Sequence, residues 1–213
     1  MSAAESGSRL RDAVAELVEL DVAPIVQAGD PVLRHGALPF DGQLDDAELT
    51  RLIELMTRTM RAAPGVGLAA PQIGLPLAIA VIEDPGPTDP EVAEARERDQ
   101  YPFRVLVNPA YEAVGDERAW FYEGCLSVQG WAGVVGRARA VHLTGLDEYG
   151  VVLDEEVTGW PARIVQHETD HLLGVLYIDR AETRSLATGA AAAHWANDPH
   201  PHAAARALGF ELD

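Results

Sequence analysis

The chain has 213 residues, 47% hydrophobic and 23% charged, which are ordinary proportions for a soluble globular protein with room for a sizeable core. Its 16 basic residues, all arginine, face 34 acidic ones; the net charge of −18 repels phosphate backbones and excludes a general nucleic-acid binder. A single cysteine, Cys125, excludes an intramolecular disulfide, and neither a signal-peptide pattern nor a membrane-length apolar run is present, so a cytoplasmic protein is expected. In chain order, Ser8 precedes Arg9–Leu20, where Leu10, Val14, Leu17 and Val18 recur at helical spacing. A second helix is predicted from about Asp45 to Ala63, with Leu49, Leu52, Ile53, Met56 and Met60 as its apolar stripe and Pro64-Gly65 as its stop. Leu77–Ile82 reads as a buried strand. Residues 84–101 are proline-punctuated and charged, a surface insertion with a helical turn near Pro90–Arg98. Short strands follow at Phe103–Val107, Tyr111–Val114, Ala119–Tyr122, Ala132–Val135, Ala140–Leu146 and Val151–Val157. A helix from about Pro161 to Leu173 is opened by its proline and closed by Gly174, and a last helix is predicted at Ala203–Leu208. This order predicts one α+β domain over 1–213, with a core of about 24–180 and a tail at 181–213.

The penultimate helix carries Gln166-His167-Glu168-Thr169-Asp170-His171. Positions i and i+4 share a helix face, so His167 and His171 can grip one metal ion. Glu168 is turned roughly 100° away, which suits a base acting on water beside the ion better than a third ligand. The extended zincin pattern requires a third histidine ten residues after His167, but that position holds Tyr177. No Met-turn exists either, because the methionines are Met1, Met56 and Met60. The third ligand therefore lies elsewhere. Cys125, in Glu123-Gly124-Cys125-Leu126-Ser127, would complete a His₂Cys set with one position open. Read alone, a single cysteine in a strand-rich region is more often a buried small residue. Upstream, Gly65-Val66-Gly67-Leu68-Ala69-Ala70-Pro71-Gln72 combines a closely approachable backbone with a carboxamide, although alone it could simply be a turn capping the second helix. It is no phosphate loop, since no Gly-Lys-Ser/Thr follows.

Together, in this order and at these separations, Gly65–Gln72, Glu123–Ser127 and Gln166–His171 resemble the three signature motifs of peptide deformylase. The resemblance spans approximately Pro24 to Arg180. It includes Val26-Gln27-Ala28-Gly29-Asp30-Pro31-Val32-Leu33-Arg34 and Leu176-Tyr177-Ile178-Asp179. It implies an α+β fold of antiparallel strands packed around a central helix that carries the His-Glu-x-x-His motif. It further implies a hydrolase that removes the formyl group from N-formylmethionine of nascent polypeptides and releases formate. Cys125, His167 and His171 would bind the metal, Fe(II) in the cell, with zinc, nickel or cobalt able to substitute. Glu168 would be the general base, and Gln72 with the Leu126 N–H would stabilise the oxyanion. The peptide main chain would dock on Val66, Gly67 and Gly124, and its methionine side chain would lie near Val66, Phe121, Trp160 and Ile164. Glu123 and Arg137 match a supporting ion pair beside the site.

Ribosome proximity follows from a nascent-peptide substrate, yet after Arg180 only Arg184 and Arg206 are cationic, so no basic docking tail is expected. That short tail and Ser127-Val128-Gln129-Gly130-Trp131 resemble the organellar-type branch of the family. His194, His200 and His202 have no ordered spacing and are expected to be exposed. Two rival readings remain. A catalytically inactive metal-binding homologue would be signalled by loss of Glu168 or Gln72, both of which are present, and a zincin-like metallopeptidase conflicts with Tyr177.

Overall fold

Local sequence decides most of the helices. The computed structural model describes residues 3–212. Helix α1 spans Ala3–Leu17, so it begins before the expected start at Ser8. Ala3, Ala4 and Glu5 are strong helix formers and extend it past that serine. Helix α2, Asp46–Ala62, opens with a reciprocal capping box between Asp45 and Glu48, and its predicted stripe is buried against α1 and the first sheet. Strand β1 is Gly67–Ala69, followed by a 3-10 turn at Ala70–Ile73. Strand β2 covers Ile79–Asp84. Leu77 lies just before it and instead forms an isolated bridge to Leu38.

The next segment contains helix α3, Pro90–Arg96, and leads into β3, Tyr101–Ala113. Two expected strands are thus one. Its register shifts between Val107 and Ala110, where Asn108 has φ 50° and exchanges two hydrogen bonds with the Phe40 backbone. That irregularity lets the strand pair with β2 on one half and with β6 on the other. Strands β4 (Arg118–Gly124), β5 (Trp131–Ala138), β6 (Ala140–Leu146) and β7 (Val152–Thr158) follow. One antiparallel sheet has the order β1-β2-β3-β6-β7, and a second begins with β4-β5.

Helix α4, Gly159–Leu172, lies centrally. Ala162, Val165 and Leu172 pack on Ala80, Ile82, Leu106, Val141 and Leu143 of the larger sheet. Its end is fixed by Gly174 at φ 78°, where a Cβ would lie 2.8 Å from the Arg34 backbone. The α+β arrangement around this helix is as expected. After it, β8 (Ala187–Thr188) pairs with Trp131 and Ala132 of β5, completing the second sheet. Helices α5 (Gly189–Ala196) and α6 (His202–Leu208) cover that sheet, burying Ala204, Ala205 and Phe210 against Tyr122 and Val134. No helix among the described residues is long and apolar enough to cross a membrane.

Candidate active site

Two supports deliver the three expected metal ligands. His167 and His171 stand one turn apart on α4, and Cys125 follows the last residue of β4. Their ligand atoms lie within 4.8 Å of one another, with Cys125 Sγ 3.2 Å from His171 Nε2. His167 Nδ1 is 3.0 Å from Glu123 Oε2, so it donates there and Nε2 is left for the ligand cluster. Burial drives the His171 pKa well down, favouring the neutral form that ligates a metal. The Ser127 N–H lies 3.4 Å from the Cys125 sulfur. One thiolate and two imidazoles are a donor set that fits a divalent transition ion.

Glu123 and Arg137 form a bidentate pair at 2.6 and 3.0 Å. Sequence reasoning missed their company. Arg163 also binds Glu123, and the third nitrogen of Arg137 donates to Asp170 at 2.8 Å. Asp170 accepts as well from Tyr111 and Arg180, each at 2.9 Å. A charged residue on the inward face of an amphipathic helix is the one signal that could have found Asp170 and Arg163, both buried. Burial alone would raise the pKa of Glu123, but the two guanidiniums and His167 hold it well below the usual carboxylate range. Tyr177, which occupies the zincin ligand position, stacks on His167 with ring centroids 6.3 Å apart.

Glu168 sits in the opposite environment. Burial pushes its pKa up to about 7, and its Oε2 has no hydrogen-bond partner. Gly67 makes room for it: a Cβ there would lie 2.7 Å from the Glu168 Cγ and would overlap Oε1. Gln72 is buried in the 3-10 turn and orients its amide by accepting the Ala69 N–H at 2.8 Å. Its Nε2 then faces Cys125 Sγ at 3.6 Å and Ser127 Oγ at 3.4 Å.

Gln72, Glu123, Cys125, His167 and Glu168 line a cavity of about 900 Å³ that also touches Val66, Gly67, Gly124, Leu126, Trp160 and Ile164. Strand β1 is an edge strand paired only with β2, and the Val66 carbonyl already accepts from Glu83 at 2.9 Å. Phe121 does not line this cavity. It lies two residues back along β4, roughly 7 Å from Glu123, and packs behind Trp160 with centroids 5.8 Å apart. There it borders a second cavity of about 240 Å³. His194, His200 and His202 are exposed, as expected, although His200 stacks on Phe121.

A sequence profile described as Polypeptide deformylase matches residues 22–186. Peptide deformylase 3 of Streptomyces avermitilis is 61% identical over 209 residues, covering 97% of this chain and 93% of that protein. A crystal structure of the class I type b peptide deformylase from Acinetobacter baumannii, bound to Met-Ala-Ser, superposes with a TM-score of 0.67. It is 33% identical and covers 75% of this chain and 98% of its own. The organellar-type assignment is overturned. The chloroplastic peptide deformylase 1A of Solanum lycopersicum is only 45% identical and covers 77% of the chain and 61% of that protein, far behind the Streptomyces relative. A short acidic tail and one pentapeptide do not separate the branches. With Cys125, His167 and His171 clustered together, and Glu168 and Gln72 facing the same cavity as Cys125 and His167, the chain belongs to the peptide deformylase family.

Proposed function

We propose a role for each side chain of the site in the family's reaction, hydrolytic removal of the formyl group from N-formylmethionyl peptides with release of formate. The observation that carries the reading is the convergence of Cys125, His167 and His171 beside a buried Glu168 and the amide of Gln72. Cys125, His167 and His171 would hold a divalent ion, which would supply Lewis acidity to the hydrolysis. Fe(II) is the ion we assign in the cell, and the same thiolate and two imidazoles can also hold zinc, nickel or cobalt.

Glu168 takes the proton from the attacking water and returns it to the departing amine. Its raised pKa suits both halves of that exchange. The developing oxyanion is held by the Gln72 Nε2–H and the Leu126 backbone N–H, each contributing about 3 kcal/mol. The substrate main chain docks in extended form along the free edge at Val66 and Gly67 and opposite Gly124. With its carbonyl engaged by Glu83, Val66 offers its N–H. The methionine side chain enters the part of the cavity bounded by Val66, Trp160 and Ile164. Glu123 fixes the ring of His167, and Arg137 fixes Glu123. Close backbone on both sides leaves room for a formyl hydrogen but not for the methyl of an acetyl group.

We read the chain as one domain acting in the cytoplasm near the ribosome on nascent peptides, without a basic docking tail and without direct nucleic-acid contact. The net charge of −18 and the two cations after Arg180 support the last two points. Formate release from formyl-Met-Ala-Ser by the anaerobically prepared Fe(II) protein tests the reaction. Rapid release that is abolished in Glu168→Ala is expected; no release by the native protein overturns it. Comparable turnover of the acetylated peptide would refute the size argument.

A further inference from the structure

Residues 84–101 do more than pass over the surface. Helix α3 itself buries no side chain, but the arginine just beyond it turns inward. Arg98 binds Asp84, which is only 1% exposed, through Nε at 2.7 Å and Nη2 at 3.0 Å. Its guanidinium carbon stands 5.0 Å from the centroid of the Trp160 ring. The same side chain lines the active-site cavity with Val66, Trp160 and Ile164. A fork to a buried carboxylate and a stack on an indole fix the guanidinium plane in two directions. Arg96 approaches the same indole, at 5.3 Å, and donates to the carbonyls of Ala196 and Asp198 in the tail, each at 2.8 Å.

We infer that Arg98 is a specificity-determining residue: held between Asp84 and Trp160, it closes the side-chain pocket and sets the length of substrate side chain admitted. This deepens the deformylase reading and rests on it, since the pocket is the one assigned to methionine. A long unbranched side chain should fill the space up to the guanidinium, whereas one extra methylene should collide with a group that cannot swing aside. A single methylene in such a pocket discriminates by about tenfold or more. Ethionine, which is methionine lengthened by one methylene, is therefore the probe.

The test compares kcat/KM for formyl-Met-Ala-Ser and formyl-ethionyl-Ala-Ser in the Fe(II) enzyme and its variants. In Arg98→Ala the preference for methionine over ethionine should fall about tenfold. Arg98→Gln, shorter but still able to donate to Asp84, should reduce it by a smaller factor, and it carries the test if the alanine variant does not fold. A ratio that stays within twofold of native in the folded variants overturns the inference, even if both rates drop together. If the native enzyme releases no formate from the methionyl peptide, it is the deformylase reading that fails.

Discussion

Two buried carboxylates neighbour His167, one bonded to its ring and one next to it in the chain, and they are held in opposite ways. Glu123 is surrounded by Arg137, Arg163 and His167, every oxygen engaged, and stays ionised far below the ordinary range. Glu168 abuts the bare backbone of Gly67, leaves one oxygen unbonded and has its pKa raised to about 7. Pairs of titratable groups pushed apart by their surroundings divide the work of a site between them. The first is a fixed anion that orients a ligand, and the second is free to gain and lose a proton. Burial alone does not distinguish them; the available partners do.

The largest effect should come from removing the Glu168 carboxylate, to which we assign the proton transfer. Glu168→Gln should lower kcat/KM for formyl-Met-Ala-Ser by about 10²–10⁴-fold. Metal content, measured by elemental analysis, should stay at the native level, and a loss below tenfold would erase the distinction. Glu123→Gln should do the reverse. It should weaken metal affinity by about 10–100-fold in chelator competition, because His167 loses its orienting partner. It should also cost about 3–5 kcal/mol in denaturant unfolding, by leaving the buried Arg163 without its anion and Arg137 with Asp170 alone. Gly67→Ala sharpens the contrast more gently: displacing Glu168 without altering Glu123 should cost about tenfold in kcat with metal retained. A further effect is on stability against pH in metal-free protein. A carboxyl whose folded pKa is raised stabilises the fold below its unfolded value, near 4.5, and loses that contribution as pH rises through about 7. Native protein should therefore lose stability across that window relative to Glu168→Gln, whereas a flat difference would show that Glu168 is not desolvated.

The parts of this site visible in the sequence were those set by short-range geometry. The i, i+4 histidines, the adjacent glutamate and the glycine beside Cys125 carry their meaning within a few residues. So does the stop at Gly174. Contacts across long separations were not visible. Nothing local announces that Arg163 joins Glu123, 40 residues away, or that Arg98 reaches Asp84 and Trp160. Phe121 was misplaced for the same reason: the resemblance puts it near the site, but only tertiary packing puts Trp160 in between. The split strand at 103–114 proved continuous because Asn108 turns through a left-handed conformation without leaving the sheet.

The two-residue strand β8 carries a consequence for the timing of assembly. Ala187 pairs with Ala132, which in turn faces Gly124, the neighbour of the thiolate ligand. Synthesis proceeds from the N-terminus, so Cys125 and both histidines are made before the residues that complete this sheet. The hairpin presenting Cys125 is sealed only once the ribosome has passed Thr188. All three residues of the ligand cluster are therefore synthesised before the strand that completes the sheet behind Cys125.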